Sequence, residues 1–228
     1  WRVHVMSPSQ KTRDALAPRL DAGLKKLNAA PECAKNVTTY ARLEDIAWAS
    51  IDLVVEAVTE DLALKQKLFA QLETLTRPDT PIVTNTSNYQ IGAVTKGLKT
   101  ASRMAGLHFF MPAHLVPLVE VALGEDSDPE LGQRVCDFYR AAGKKPVLVR
   151  RDIPGFLANR IQHALMREAL DLIDRGIASP EDVDTAVRYS FGFRYAAAGP
   201  VLQKEISGWD SMAQASREIY PSLSNTDH

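Results

Sequence analysis

The sequence predicts an α/β domain with a mostly parallel sheet, followed by an all-α C-terminal domain. Through the first two-thirds of the 228 residues, short apolar runs alternate with longer amphipathic segments, as in sheets with helices on both faces. After a polar junction at Arg150–Gly155, every pattern is helical. A chain of this length can bury the core of one large or two ordinary domains. We therefore divide it into residues 1–151 and 152–228.

The predicted strands are short apolar or β-branched segments bounded by turn residues. They are Val3–Met6, Leu53–Val58, Ile82–Thr84, Arg103–Leu107, Pro117–Leu123 and Lys145–Val149. The early strands alternate with helices, which favours parallel pairing. The last two strands, separated by a helix, suit the far edge of the same sheet.

Helical periodicity separates these strands. Leucines share one face within Gln10–Leu27 and within Asp61–Leu75, and another helix is expected over residues 129–142. We expect Thr59 to begin the second of these helices, because a hydroxyl can cap its first turn and acidic residues follow.

The C-terminal domain begins with a long amphipathic helix. Its apolar stripe, which we expect to pack, consists of Leu157, Ile161, Leu165 and Leu172. Gly176 is expected to end this helix, since glycine adopts the left-handed conformation found after many helices. Ser179 and Pro180 have the residue types of a helix cap and a first helical position.

Composition gives no sign of a nucleic-acid or membrane protein. The formal net charge is -1, so no overall field would attract phosphate-rich partners. No apolar run reaches the roughly 18 residues that cross a bilayer. Two cysteines, Cys33 and Cys136, cannot form a disulfide framework and favour a reducing, cytoplasmic location. No cluster of side chains has convincing metal-ligand spacing.

The strongest candidates for chemistry are His108 and Glu120. His108 ends an apolar strand, at the edge where open α/β sheets bind ligands, and Glu120 lies in the next strand. A carboxylate in an apolar strand is costly to bury unless it is paired. An imidazole is a natural partner, since the carboxylate fixes its tautomer and raises its basicity. Such a pair would be a general base at neutral pH, and a purely structural pair is the competing interpretation.

Further motifs run in order along the chain. They are Val54-Val55-Glu56-Ala57-Val58-x-Glu60, Thr84-Asn85-Thr86-Ser87, His108-Phe109-Phe110-x-Pro112, Asp152-Ile153-Pro154-Gly155-Phe156-x-x-Asn159-Arg160 and Glu181-Asp182-Val183-Asp184. Together they resemble the 3-hydroxyacyl-CoA dehydrogenase family over nearly the whole chain. The resemblance implies a Rossmann-type sheet, a helical substrate and dimerisation domain, NAD as cofactor and a homodimer.

The resemblance also implies roles for individual residues. His108 is the base that removes the hydroxyl proton of the substrate, while the carbinol hydrogen leaves as hydride for the nicotinamide. Glu120 stabilises the imidazolium that forms. Ser87 hydrogen-bonds the reacting oxygen near the nicotinamide, and Asn159 is an active-site asparagine. The competing interpretation of Asn159 is a structural role near the start of its helix.

Glu60 and Lys65 match positions on the cofactor side of the family's site, as does Ser87. There the carboxylate and the ammonium could reach the ribose and neighbouring polar groups. The competing interpretation of Glu60 and Lys65 is a solvated helix face.

The sequence departs from the family pattern in particular places. It contains no Gly-x-Gly-x-x-Gly loop for pyrophosphate, so we expect the first strand and this loop to be missing, and the helical domain to be incomplete. Ser7 stands where an acidic ribose ligand is expected, so NADP is not excluded. Met111 stands where the family commonly has asparagine, and a thioether cannot donate a hydrogen bond.

These departures leave alternative functions open. The leading hypothesis is oxidation of a 3-hydroxyacyl-CoA. The first alternative is the same chemistry on a hydroxy acid or alcohol without CoA, such as a sugar acid, a carnitine-like compound or an aromatic hydroxymethyl acid. The second is a non-catalytic, crystallin-like relative, and the intact pair of His108 and Glu120 argues against it.

Overall fold

The chain divides into a unit of strands and helices, Trp1–Leu157, and a helical unit that begins at Ala158. The computed structural model describes residues 1–226. The junction residues 152–157 belong to the first unit. The predicted fold class, a mostly parallel α/β sheet followed by helices, is confirmed.

The strands of the described residues lie in two sheets. Their bounds are β1 Val3–Met6, β2 Val37–Tyr40, β3 Val54–Glu56, β4 Ile82–Thr84, β5 Met104–Phe109, β6 Leu118–Ala122 and β7 Lys145–Val149. β1 and β2 pair in parallel, and the other sheet has the order β3-β4-β5-β6-β7. Within the larger sheet only the β5–β6 pairing is antiparallel.

Strand β2 was not predicted, whereas every predicted strand exists. Its sequence, Val-Thr-Thr-Tyr, is β-branched and aromatic but carries no apolar run. Its middle residues are exposed threonines, so a search for buried strands passes over it. Predicted bounds agree for β1, β4 and β7, and the other strands are shifted or shortened at their ends.

The first unit contains five α-helices among its described residues. They are α1 Gln10–Asp14, α2 Leu16–Lys26, α3 Leu62–Leu75, α4 Ile91–Val94 and α5 Pro129–Ala141. Phe69 and Leu72 of α3 pack with Ile82, whereas Leu131 of α5 packs with Val83. Neighbouring residues of one strand point to opposite faces, so these two contacts place α3 and α5 on opposite sides of β4.

Two details of these helices correct the sequence analysis. The single helix predicted over Gln10–Leu27 is interrupted at Ala15, because Pro18 has no amide hydrogen to bond the carbonyl of Asp14. Thr59 does not begin α3. Asp61 caps it instead, and its Oδ1 accepts a hydrogen bond from the amide of Leu64 at 2.9 Å.

The second unit contains only helices in its described part. They are α6 Ala158–Asp174, α7 Pro180–Tyr189, α8 Phe191–Tyr195, α9 Pro200–Ser207 and α10 Asp210–Ile219. Gly176 follows α6 with φ of 66°, and Ser179 Oγ accepts from the amide of Asp182 at 3.1 Å, so both predicted helix signals are confirmed. Up to residue 226, no helix combines the length and apolar character that crossing a membrane requires.

The apolar stripe of α6 is not buried, contrary to expectation. Leu157, Ile161 and Leu165 are exposed in the single chain, and Ile161 keeps 57% of its surface. Met166 and Leu170 are exposed as well. The helical unit therefore presents an apolar surface that its own side chains leave uncovered.

Arg103 joins the end of α3 to the entrance of β4. Its guanidinium is buried and donates to the carbonyls of Glu73, Arg77 and Thr80 at 2.7–3.0 Å. It also donates to the Thr76 hydroxyl at 2.7 Å. One side chain thus satisfies backbone acceptors in the last turn of α3 and in the segment that leads from it to β4.

We predict that Arg103→Met lowers the free energy of unfolding by about 2–4 kcal/mol, because buried carbonyls lose their donor. Urea unfolding followed by circular dichroism measures this. Arg140→Met is the matched control: Arg140 pairs with Asp137 on the surface of α5, and its loss should cost less than about 1 kcal/mol. Equal costs for the two variants would contradict the prediction.

Candidate active site

His108 and Glu120 face each other across the antiparallel pair β5–β6. The strand register places the two residues directly opposite, and Nδ1 of His108 lies 2.7 Å from Oε2 of Glu120. Glu120 has no exposed surface, and His108 is buried as well. The backbone amide of Leu157 donates to Oε1 of Glu120 at 3.0 Å. Each oxygen of the carboxylate therefore has a hydrogen-bond partner.

This hydrogen bond defines the tautomer of the imidazole. When the Glu120 carboxylate is ionised it only accepts hydrogen bonds, and Nδ1 of His108 then carries its hydrogen. In the neutral ring, Nε2 is then the unprotonated nitrogen. Oγ of Ser87 lies 3.2 Å from Nε2 and can donate to it. The ring thus presents a lone pair beside an exposed hydroxyl, which is the arrangement of a general base.

Two aromatic rings enclose the imidazole. Phe110 meets it edge-on, with ring centroids 4.8 Å apart, and the ring centroid of Phe156 lies at 5.6 Å. Phe156 and the preceding Gly155 have φ of 47° and 77°. The left-handed conformation costs a non-glycine residue about 1 kcal/mol, and burial of the Phe156 ring offsets this. With this backbone conformation, the apolar Phe156 ring lies beside the base.

The loop that carries Ser87 is anchored by Glu60. Oε1 of Glu60 accepts from the Thr86 hydroxyl and from the amides of Ser87 and Asn88, the latter two at 3.2 and 3.3 Å. At the other end of the loop, Oδ1 of Asn85 accepts from the amide of Phe109 at 3.3 Å. These contacts hold the Ser87 hydroxyl near His108.

Lys65 lies beneath this loop. It is fully buried, so the alternative of a solvated helix face is wrong for this residue. Its Nζ lies 3.0 and 3.1 Å from the two carboxylate oxygens of Glu56 and 3.2 Å from Oε2 of Glu60. Glu56, at the end of β3, also accepts from the Thr84 hydroxyl at 2.5 Å.

The pKa of Glu60 lies below its ordinary value. Partial burial opposes ionisation, but hydrogen bonds from Thr86 and Lys65, the charge of Lys65 and the Asn88 amide outweigh it. The carboxylate is therefore ionised at neutral pH and remains an acceptor for the Ser87 loop. Its side chain keeps 30% exposure, so one part of it also faces solvent.

The structure brings together most of the residues singled out from the sequence. Ser87, His108 and Glu120 are in direct contact, and Glu60 and Lys65 support the Ser87 loop. Asn159 is half-buried in the first turn of α6, in the second unit, and its active-site role stays a prediction.

The sequence analysis assigned no role to Glu56. A signal was present, because Glu56 is a carboxylate at the end of an apolar strand, the same feature that singled out Glu120. Thr84 and Thr86 also received no role. Buried hydroxyls are common in loops, and only the structure shows that both donate to glutamates.

The family comparison agrees with this geometry. Residues 3–153 match the sequence model of the 3-hydroxyacyl-CoA dehydrogenase NAD binding domain, and residues 155–225 match the C-terminal domain. The chain belongs to the 3-hydroxyacyl-CoA dehydrogenase family. The family model also supports the prediction of NAD as the cofactor.

Individual relatives carry different substrate names. The chain is 35% identical over 193 residues to 5-formyl-3-hydroxy-2-methylpyridine 4-carboxylate 5-dehydrogenase of Mesorhizobium japonicum, covering 84% of this chain and 62% of the relative. It is 39% identical over 178 residues to L-carnitine dehydrogenase of Nocardiopsis dassonvillei, covering 78% and 54%. The chain thus spans less than two thirds of these relatives.

A solved structure with the same fold is a 5-formyl-3-hydroxy-2-methylpyridine 4-carboxylic acid 5-dehydrogenase, described as an NAD+-dependent dismutase. The TM-score is 0.87 at 31% identity, and the alignment covers 99% of this chain and 74% of that chain.

The residues at the carboxyl edge of β3 and β4 fit the nicotinamide and ribose end of NAD. Ser87 is exposed beside Nε2 of His108, and Glu60 offers an ionised, partly exposed acceptor. Hydroxyls of a ribose are donors that such a carboxylate accepts. No Gly-x-Gly-x-x-Gly segment for the pyrophosphate occurs in the sequence.

We predict that Glu60 makes folding more stable above about pH 4.5 than below it. The pKa of Glu60 is lowered in the folded protein, so the unfolded chain binds the proton more readily, and stability falls as pH drops from 4.5 through the folded value. Glu60→Gln should therefore flatten the dependence of the urea midpoint on pH in this range. The exposed Glu125→Gln is the control, and an equal flattening there would contradict the assignment.

Proposed function

We propose that this protein is an NAD-dependent dehydrogenase that oxidises the secondary alcohol of a 3-hydroxyacyl-CoA or of a related hydroxy acid. The observation that carries the proposal is the state of His108. Its Nδ1 is held by a buried carboxylate, and its Nε2 lies beside an exposed hydroxyl at the ligand edge of the sheet. Membership of the family supports the same chemistry.

In the proposed reaction, His108 Nε2 accepts the proton of the substrate hydroxyl. NAD, when bound, supplies a nicotinamide C4 that accepts the carbinol hydrogen with its electron pair. The hydroxyl oxygen and its carbon thereby become a carbonyl, and the proton stays on His108 until it passes to solvent. Glu120 stabilises the imidazolium, because its charge lies 2.7 Å from the protonated ring.

Ser87 orients the reacting oxygen in this proposal. Its hydroxyl lies 3.2 Å from Nε2, so an oxygen bound to the base also lies within reach of Ser87. As negative charge develops on that oxygen, the Ser87 hydroxyl can donate to it, which stabilises the transition state.

Met111, in the connection that follows β5, keeps 80% of its area exposed and is open to a substrate. An exposed thioether offers a ligand apolar contact and a weak acceptor, with no donor. Relatives named for carnitine and for a pyridine carboxylate support a substrate without CoA as the second candidate. The leading candidate is 3-hydroxyacyl-CoA, after which the family is named.

A homodimer built on α6 is part of the proposal. The exposed side chains of Ile161, Leu165, Met166 and Leu170 support it, because a second copy could remove this apolar area from water. Light scattering after gel filtration measures the mass, and a monomer at micromolar concentration would contradict the dimer.

We predict that His108→Ala lowers kcat by about 10²–10⁴-fold, the contribution expected of a general base. Glu120→Gln should lower kcat as well, because an amide cannot neutralise the imidazolium. NAD affinity, measured by titration of intrinsic fluorescence, should change little in either variant.

His4→Ala serves as the control, since His4 is a half-buried histidine of β1 whose Nδ1 pairs with the Tyr40 hydroxyl at 2.9 Å. Its kcat should stay within about twofold of the unmodified protein. Turnover of His108→Ala at the same level would contradict the proposed function.

A substrate screen separates the two substrate classes. We expect NADH formation with 3-hydroxybutyryl-CoA to exceed that with carnitine and with aromatic hydroxymethyl acids. The reverse order would assign the protein to the class without CoA. NAD binding without turnover of any alcohol would support the non-catalytic alternative and contradict the proposal.

A further inference from the structure

We propose that Glu56 is a positioning residue for the Ser87–His108 contact, acting through Lys65, Glu60 and the loop 84–88. The inference rests on the proposed function, because the contact matters for turnover only if His108 is the base. Glu56 itself lies below the loop, and its side chain is fully buried.

Glu56 hydrogen-bonds the start of the loop directly. Its carboxylate accepts from the hydroxyl of Thr84, the last residue of β4, at 2.5 Å. Its backbone carbonyl accepts from the amide of Asn85 at 2.7 Å. Side chain and main chain of one residue therefore hold the two positions at which the chain leaves the strand.

Glu56 also supports the loop indirectly, through its ion pair with Lys65. The ammonium of Lys65 is fully buried, and a buried cation is tolerated only when it is paired. Two carboxylates share it: Glu56 binds it with both oxygens, and Glu60 binds it with Oε2. Because Glu56 fixes the position of Lys65, Lys65 in turn fixes Glu60. Oε1 of Glu60 can then bind the loop.

The far end of the loop depends on that second oxygen. Oε1 of Glu60 accepts from the amides of Ser87 and Asn88 at 3.2 and 3.3 Å. Three charged side chains thus contact one another in series, the buried Glu56 and Lys65 and the partly exposed Glu60, and Glu60 accepts from the backbone amide of Ser87. The Ser87 hydroxyl reaches 3.2 Å from Nε2 of His108 because both ends of its loop are held.

Glu56→Gln tests this arrangement with little change in shape. In either orientation an amide places its NH2 group against the ammonium of Lys65, and also against the Thr84 hydroxyl or the Val58 amide, so the loop loses part of its support. We expect kcat to fall on the order of 10-fold, since small displacements of catalytic groups are costly. The KM for the alcohol and the dissociation constant of NAD should stay within about threefold.

A double-mutant cycle distinguishes positioning from a general loss of stability. In the Ser87→Ala background, Glu56→Gln should lower kcat by less than about threefold, because the hydroxyl that it positions is already gone. Full multiplication of the two effects, or no effect of Glu56→Gln alone, would overturn the proposal.

Glu73→Gln is the matched control. Glu73 lies on the same helix, α3, and its carboxylate holds the amide and the hydroxyl of Thr100 at 2.6 and 2.8 Å. It should lose stability in urea while keeping kcat within about twofold. A fall in kcat equal to that of Glu56→Gln would overturn the specific role of Glu56.

Thr84→Val decides the matter if Glu56→Gln fails to fold. It removes one donor to Glu56 without altering charge, and its smaller loss of kcat should likewise be absorbed in the Ser87→Ala background. The proposed function is judged separately by His108→Ala. If that variant keeps its turnover, the proposed function fails; if it loses turnover and the cycle is multiplicative, only the role of Glu56 fails.

Discussion

The buried carboxylate of Glu120 is the constraint from which the site follows. A charge inside a sheet must be matched by donors, and His108 and the amide of Leu157 are among them. The bond from His108 sets the tautomer of the imidazole. The bond from Leu157 ties the backbone of the junction to β6. Phe156 then lies beside the imidazole. Folding and preparation of the base are therefore achieved by the same hydrogen bonds.

A second buried carboxylate repeats this principle at the end of β3. Glu56 is matched by Lys65, Thr84 and the amide of Val58. Both carboxylates are buried, and both are linked through buried partners to the exposed Ser87: Glu120 through His108, and Glu56 through the loop 84–88. Charge inside the sheet is thus used to hold polar groups at its edge, where loops alone would leave them mobile.

The sequence predicts those parts of the fold that depend on nearby residues, such as helix ends and buried strands. Ser179, Gly176 and the apolar strands have such patterns, and the structure contains them as predicted. It does not predict features that depend on residues far apart in the chain. The burial of Lys65 depends on Glu56 from another element, and β2 exists because β1 offers it a partner. Pro18 is a sequence signal for the break at Ala15, but the leucine periodicity favoured one continuous helix.

The antiparallel pairing of β5 with β6 has a consequence for how such a protein can change over generations. The backbone ladder sets His108 opposite Glu120, so residues 110–117, which connect the two strands, do not determine their distance. That connection includes the exposed Met111. A lineage can therefore accumulate substitutions in this loop and exchange one alcohol for another, while it inherits the proton acceptor unchanged.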